Sequence, residues 1–196
     1  MTDRSVELSA EEVGMLRGGP RAAVTVAVVA LALRGAVTPG KPGTLQTSGV
    51  ASGAEGALEK AVHAALHRPL ALRDLIDTPR VRAALEQVRR PLVEDGLWRE
   101  HLPHRTRAGR QVVKGLAVEL VLPEGAHAAH EVRELGWDTR ERLLAVALYG
   151  DAGLAAVVPH LAREGGLTGR LRGDTGATPA GRGGGGGGGI SCGGVV

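Results

Sequence analysis

Hydrophobic residues recur with helical spacing along most of the chain. The clearest case is the segment Ala54–Arg68, whose apolar residues fall on one helix face: Leu58, Ala61, Val62, Ala65 and Leu66. This spacing predicts an amphipathic helix. The segment Pro20–Arg34 is apolar on every face, which predicts a helix buried on all sides at the centre of its domain.

Polar residues, glycine and proline predict where the first helices begin and end. Ser9 and Glu12 have the spacing of a capping box, which starts a short helix. Gly18 and Gly19 end it, and Pro20 stands where the first turn of a new helix tolerates proline. We therefore predict two consecutive helices separated by a glycine pair.

Short β-prone segments predict a small hairpin after these helices. Ala36–Val37 and Thr44–Thr47 flank a turn rich in proline and glycine. Pro79 begins a further helix, in which Pro91 predicts a kink or break. Leu97–Trp98 has the character of a short strand. The second half is predicted to be helical in four segments: Thr106–Leu122, Ala126–Leu135, Thr139–Tyr149 and Ala152–Arg163.

This order of elements predicts a mainly α fold. Residues 1–104 are expected to be winged-helix-like and residues 105–164 helical, packed together as one domain. Residues 165–196 contain 15 of the 31 glycines, seven of them in one run. Such a segment cannot bury enough apolar surface to offset its ordering entropy, so we expect a disordered tail.

Composition narrows the chemistry available to this fold. The 196 residues are 43% hydrophobic but include no Phe, one Tyr and two Trp, so Ala, Val and Leu must form the core. An aromatic surface for stacking bases is therefore excluded, and the single cysteine, Cys192, excludes a disulfide framework. The N-terminus is polar, and the apolar run Ala22–Leu33 is shorter than the about 20 residues of a spanning helix. We expect a cytoplasmic chain without signal peptide or transmembrane helix.

Positive charge is concentrated in the middle of the chain. From Arg80 to Lys114 there are eight Arg and one Lys against four acids, a balance of 9 − 4 = +5, whereas the whole chain carries +3. Four of these arginines are candidates for an anion-binding site, if they share one face: Arg99, Arg105, Arg107 and Arg110. Nucleic acid or anionic lipid headgroups would bind there. The alternative is an ordinary charged surface.

Two histidines have a spacing found in metal sites. His63 and His67 are four residues apart on the predicted amphipathic helix, and Glu59 extends the stripe. Glu59 and His67 would lie roughly 12 Å apart along the helix axis, so one ion cannot bind all three side chains. The alternative is a solvated helix face carrying a Glu–His pair, and we expect no bound metal.

Catalytic motifs give little support for an enzyme. Gly35–Lys41 spells G-x-x-x-x-G-K, but Pro42 follows where a phosphate loop requires Ser or Thr and a helix. We predict no G-x-S-x-G nucleophile elbow, because the one stretch with this spacing, Gly189–Gly193, lies with Cys192 in the glycine tail rather than between a strand and a helix. We therefore expect a non-enzymatic protein without a cofactor.

Several stretches also carry a resemblance to known families: Leu8–Gly35, Ala57–Leu66, Pro91–Trp98, Ala145–Leu154 and the glycine run before Cys192. Together they resemble an uncharacterised actinobacterial family whose members end in a Gly/Cys-rich tail and are usually labelled membrane proteins. The most specific combination is L-R-G-G-P-R at Leu16–Arg21 with A-L-Y-G at Ala147–Gly150. This family implies no activity and no catalytic residue.

A weaker similarity is to the Golgi phosphoprotein family, which binds phosphatidylinositol phosphate headgroups. It rests on the A-E-E-V-G-M-L start, on Leu33–Gly35 before the hairpin and on L-V-x-x-G-L at Leu92–Leu97. It implies a helix-plus-hairpin architecture and hints at a lipid ligand.

These observations lead to one main functional hypothesis and one alternative. The main hypothesis is a non-enzymatic binding or interaction module, whose partner is an unknown protein or an anionic membrane surface reached through the basic patch. The alternative is a winged-helix DNA-binding protein. Arginines on a recognition helix would favour DNA, whereas arginines beside an exposed apolar element would favour lipid.

Overall fold

The computed structural model describes residues 8–49, 56–101, 104–123 and 128–168. In this part of the chain the fold is mainly helical with a small two-stranded sheet, as predicted. The elements are α1 (Ala10–Leu33), β1 (Val37–Pro39), β2 (Leu45–Thr47), α2 (Ala57–Ala65), α3 (Leu72–Ile76), α4 (Pro79–Glu94), α5 (Arg107–Glu119), α6 (Ala128–Glu134), α7 (Thr139–Tyr149), α8 (Asp151–Val157) and α9 (Pro159–Glu164).

Helix α1 consists of two helical segments, as the glycine pair predicts. The Ser9 hydroxyl accepts from the Glu12 amide at 3.2 Å, and the Glu12 carboxylate accepts from the Ser9 amide at 2.8 Å, which completes the capping box. Gly18 and Gly19 have non-helical dihedrals, and Gly19 lies in the left-handed region at φ 69°. The segments 10–17 and 20–33 then pack closely, because a Cβ at Gly14 would lie 3.2 Å from the Ala22 carbonyl carbon.

The second segment of α1 is the centre of the core. Every residue from 23 to 31 is buried, as its all-round apolar character predicts, and α1 packs against α2, α3, α4, α5 and α7. Within the described residues, α1 is the one helix whose length and composition would suffice to cross a membrane. In its most apolar stretch of 18 residues, 56% is buried inside the fold, as expected of a core helix. The turn at Gly18–Gly19 also interrupts the helix.

The predicted hairpin is present. β1 and β2 pair antiparallel, with Val37 opposite Thr47, and Val37 and Leu45 turn inward to the core. The short strand predicted at Leu97–Trp98 takes the form of a single antiparallel bridge between Trp98 and Arg105, directly after α4.

Helices α2, α4 and α5 differ from the sequence prediction, and α5 ends at Glu119 rather than Leu122. Helix α2 ends at Ala65 rather than Arg68, because the residue before Pro69 is pushed out of helical conformation and Leu66 turns into the core. Helix α4 continues through Pro91 to Glu94 without the predicted break. Pro91 lies in the last turn, where one backbone bond is lost, and the fully buried Leu92 holds the chain against the core.

The C-terminal end of the domain also differs in detail. The predicted helix Ala152–Arg163 is divided into α8 and α9, because Pro159 has no amide hydrogen and starts a new helix at its first position. The core extends beyond the predicted limit at Glu164, since Leu167 is 1% exposed and its carbonyl accepts from Arg21 at 3.1 Å. Most of the predicted glycine-rich tail, residues 169–196, lies outside the described residues.

Candidate anion-binding surface

Helix α5 carries two of the four predicted arginines, Arg107 and Arg110, and its two faces differ. Thr106 caps its first turn by accepting from the Gly109 amide at 3.1 Å. Gly109 is buried, and Val112, Val113 and Leu116 pack against the core. These residues form the face of α5 that packs against the core, so the opposite face is turned to solvent.

The outward face combines positive charge with apolar surface. Arg107, Arg110, Lys114 and Val118 are all exposed, and their i, i+3, i+7, i+11 spacing places them within an arc of about 80° on the helix. Val118 is 78% exposed, and Val121, just past the helix end, is 70% exposed. We call these five residues the outer stripe of α5.

The end of the outer stripe is held by a tyrosine from a neighbouring helix. The Tyr149 hydroxyl of α7 lies 2.7 Å from the Leu120 carbonyl oxygen and 3.1 Å from that of Ala117. Carbonyls in the last turn of a helix have no partner within the helix. The contact therefore orders the end of α5 and positions the two exposed valines.

Arg105 and Arg110 are joined at the start of α5. The half-buried Arg105 donates from Nη1 to the Leu16 carbonyl at 3.3 Å, which satisfies an end group of the first segment of α1. Arg110 donates from Nη1 to the Arg105 carbonyl at 3.4 Å. A cation at the carbonyl end of a helix is favourable for the helix dipole, so Arg105 has a structural role as well.

Arg99 directly follows Trp98, the residue that forms the single bridge with Arg105. Its amide donates to the His104 carbonyl at 2.6 Å, and the His104 ring stacks on Trp98 with centroids 5.4 Å apart. The structure thus places Arg105, Arg107 and Arg110 at one end of α5 and Arg99 next to the Trp98–Arg105 bridge. Among the described residues, no hydrogen bond joins the Arg99 side chain to the other three arginines.

The sequence prediction of the site did not include two cations of this surface, Lys114 and Arg17. Lys114 lies on the outer stripe, and its helical spacing from Arg107 and Arg110 was sufficient to predict its position there. Arg17 comes from α1, and its guanidinium lies against Gly150, where a Cβ would be 2.5 Å from Nη1. Desolvation lowers the pKa of Arg17 from its usual value, Asp151 opposes this shift, and Arg105 adds to it. Arg105 binds the carbonyl of Leu16, the residue before Arg17, so both arginines belong to the same turn of α1.

The histidine pair does not form a metal site within the described residues. His63 Nε2 lies 3.0 Å from the Gly49 carbonyl, and His67 Nδ1 lies 3.0 Å from that of Ala64. His67 lies beyond the end of α2, so helical spacing no longer applies to it. No group of three or more His, Cys, Asp or Glu side chains suited to a metal occurs in the described part of the chain.

The predicted solvated face with a Glu–His pair is wrong for Glu59. This residue is 6% exposed, and its carboxylate accepts from Arg34 at 2.6 Å. The reason is that Glu59 lies in the first turn of α2, beside the end of α1, where Arg34 binds its carboxylate.

A buried acid lies next to this ion pair. Desolvation raises the pKa of Glu11 to about 7, with further increases from Glu59 and Glu12 and an opposing effect of Arg34. Its Oε1 is buried without a hydrogen-bond partner among the described residues. Such a group can indicate a catalytic acid, but the groups that shift it are two carboxylates and one guanidinium. We therefore interpret it as part of a structural charge cluster.

Searches of protein-family models, curated protein sequences and solved structures return no match to this chain.

Proposed function

We propose that this protein is a non-enzymatic binding module that attaches to anionic membrane surfaces through the outer stripe of α5. The main support for the proposal is the order in which side chains follow one another along one exposed face of α5. Arg107, Arg110 and Lys114 come first, and the exposed Val118 and Val121 follow. Cations beside exposed apolar side chains suit an interface with charged headgroups above and acyl chains below.

The expected strength of this attachment is modest. A Lys or Arg near an anionic leaflet contributes about 1 kcal/mol, so the three cations of the stripe supply about 3 kcal/mol. Burial of one or both valine side chains would add about 1.5 kcal/mol each. A total near 5 kcal/mol corresponds to weak, reversible binding that responds to salt.

Duplex DNA is the alternative partner for the same cations. Phosphate contacts alone would give salt-dependent, sequence-independent binding. They would leave Val118 and Val121 without a role, because the DNA backbone offers no apolar surface of matching size. The two valines are the reason for preferring the membrane.

This proposal places the protein in the cytoplasm with part of the population at the membrane surface. It agrees with the resemblance to the actinobacterial family labelled as membrane proteins, and we propose membership of that family on the same sequence elements. The attachment requires only the stripe, and α1 remains in the core of the domain.

Co-sedimentation with vesicles tests the proposal. The protein is mixed with phosphatidylcholine vesicles and with vesicles containing phosphatidylglycerol, at low and high salt, with a duplex-DNA mobility shift in parallel. We expect binding to the anionic vesicles only, and its loss at high salt. Binding to DNA but not to vesicles would favour the alternative, and binding to neither would overturn both.

A charge-matched pair of variants shows whether the stripe is responsible. Arg110→Gln with Lys114→Gln removes two cations from the stripe, and Arg68→Gln with Arg80→Gln removes two exposed cations elsewhere. The first variant is expected to lose most vesicle binding, and the second to retain it. Equal losses would mean that net charge alone determines binding, which contradicts a defined surface.

A further inference from the structure

A carboxylate lies between the start of α1 and the start of α2. A Cβ at Gly56, the residue before α2, would stand 3.3 Å from Glu11 Oε2 and 3.5 Å from Glu11 Oε1. Gly56 provides no side-chain cap to α2, and Glu11 Oε1 is buried without a hydrogen-bond partner among the described residues. An ionised carboxylate here loses hydration at Oε1 without gaining a hydrogen bond, so the neutral acid fits this position better.

The charges around Glu11 also favour its neutral form. Within the described residues, the charged groups that act on it are Glu59 from α2, Glu12 from its own helix and Arg34 from the end of α1. Glu12 accepts from the Ser9 amide in the capping box at 2.8 Å, and Arg34 donates to Glu59 at 2.6 Å. Two carboxylates therefore oppose a charge on Glu11, and the cation that favours it is engaged with another acid.

The other end of the same short helix supports the start of α5. Residues 10–17 form one helical segment, which extends from the capping box to the non-helical Gly18. The Leu16 carbonyl accepts from Arg105 at 3.3 Å, and a Cβ at Gly109 would lie 3.3 Å from Leu16 Cδ2. Rigid secondary elements transmit displacements between distant sites, so a shift at the start of this segment reaches α5 through Leu16.

We infer that the charge on Glu11 regulates the outer stripe through segment 10–17, so that the protein attaches to anionic membrane surfaces more tightly at acidic than at alkaline pH. While Glu11 is neutral, the segment stays packed and the start of α5 is ordered. When Glu11 ionises, its carboxylate moves towards water, the segment shifts, and α5 loses its contacts with Leu16. Arg107 and Arg110 must then be ordered on binding, which weakens attachment. The inference rests on the proposed function and adds its regulation.

Vesicle binding at pH 5 and pH 8 provides the first test, because these values lie on either side of the pKa of about 7 of Glu11. Attachment to phosphatidylglycerol vesicles is measured for the full chain, for Glu11→Gln and for the exposed control Glu86→Gln. Compared with the unaltered protein, Glu11→Gln should bind about fivefold more tightly at pH 8 and equally at pH 5. Histidines titrate in all three proteins and cancel in this comparison. Equal binding at pH 8, or the same gain with Glu86→Gln, would overturn the inference and leave the proposed function standing.

A double-mutant comparison tests the route through Leu16. Arg105→Met removes the donor that joins the start of α5 to the Leu16 carbonyl. In this background Glu11→Gln should change vesicle binding at pH 8 by less than about twofold, because the two substitutions interrupt the same connection. An undiminished gain would overturn the inference, since Glu11 would then act on the stripe by another route.

Hydrogen exchange without vesicles separates the inference from the proposed function. At pH 8 the amides in the first turns of α5 should exchange about fivefold more slowly in Glu11→Gln than in the unaltered protein, and those of α9 should change less. A uniform change in both helices would mean that Glu11 affects only global stability, which overturns the inference. Slower exchange confined to α5, with no vesicle binding by either protein, would support the coupling and overturn the proposed function.

Discussion

Arg34 and Glu59 form an ion pair that joins the end of α1 to the first turn of α2. Arg34 donates from Nη1 to Glu59 Oε2 at 2.6 Å, and the Glu59 side chain is 8% exposed. Arg34 stands at the carbonyl end of α1 and Glu59 in the amide-bearing first turn of α2. Each charge is therefore favourable for the dipole of its own helix. The pair, with Glu11 beside it, forms the main buried charge cluster of the described core.

Removal of the cation from this pair should destabilise the fold strongly. Arg34→Met removes the guanidinium that donates to the buried Glu59 carboxylate, and we expect a loss of about 3 kcal/mol in the free energy of unfolding. Arg90→Met is the control, because Arg90 and Glu94 form a pair with side chains 80% and 62% exposed. That change should cost less than about 1 kcal/mol. Urea titration of both variants gives the comparison, and similar losses would contradict the structural role of the Arg34–Glu59 pair.

The buried Glu11 should make stability depend on pH. Its pKa rises from the usual 4.5 to about 7 in the folded protein, so the folded state binds this proton more tightly than the unfolded chain. The associated stability is fully present below pH 4.5, falls as pH rises towards 7, and is lost above it, with a range of up to about 3 kcal/mol.

Glu11→Gln tests this pH dependence directly. The variant carries no titratable group at position 11, so its free energy of unfolding should change less between pH 5 and pH 8 than that of the unaltered protein. At pH 8 the variant should be the more stable of the two. Parallel pH profiles for the two proteins would show that Glu11 titrates normally.

Two glycines of α5 should respond in opposite ways to alanine. A Cβ at Gly109 would overlap the Leu97 carbonyl oxygen, whereas nothing lies within 4 Å of a Cβ at Gly115. Gly109→Ala should therefore cost about 1–3 kcal/mol through overpacking, and Gly115→Ala should stabilise the exposed helix by up to about 1 kcal/mol. Thermal unfolding distinguishes them. A destabilised Gly115→Ala variant would mean that α5 does not turn this face to solvent.

Local sequence signals predict much of the fold. The two capping boxes at Ser9 and Asp138 start helices as expected, and the glycine pair divides α1. The buried segment 20–33 follows from its all-round apolar character. The exceptions depend on tertiary contacts. Leu92 holds α4 together past Pro91, and Leu66 ends α2 early, because burial against the core outweighs the local preference.

The site was less predictable than the fold. Arg105, Arg107 and Arg110 are close in sequence, so their proximity follows from helical spacing. Arg17 reaches the same surface from α1, which no local pattern can show. Glu59 has the spacing of a polar helix face, but the packing of α2 on α1 buries it. The sequence shows which face of a helix a residue occupies, but it does not show which other helix packs against that face.

The most direct measurement of the central claim is whether the end of the outer stripe enters the membrane. Replacing the single cysteine with Cys192→Ser allows an environment-sensitive fluorophore to be attached at Val118→Cys, and Arg80→Cys serves as the control position. With anionic vesicles the label at 118 should shift to shorter wavelength and gain intensity, while the label at 80 stays unchanged. Binding to the vesicles without a shift at position 118 would contradict the account, because the protein would then attach through another surface.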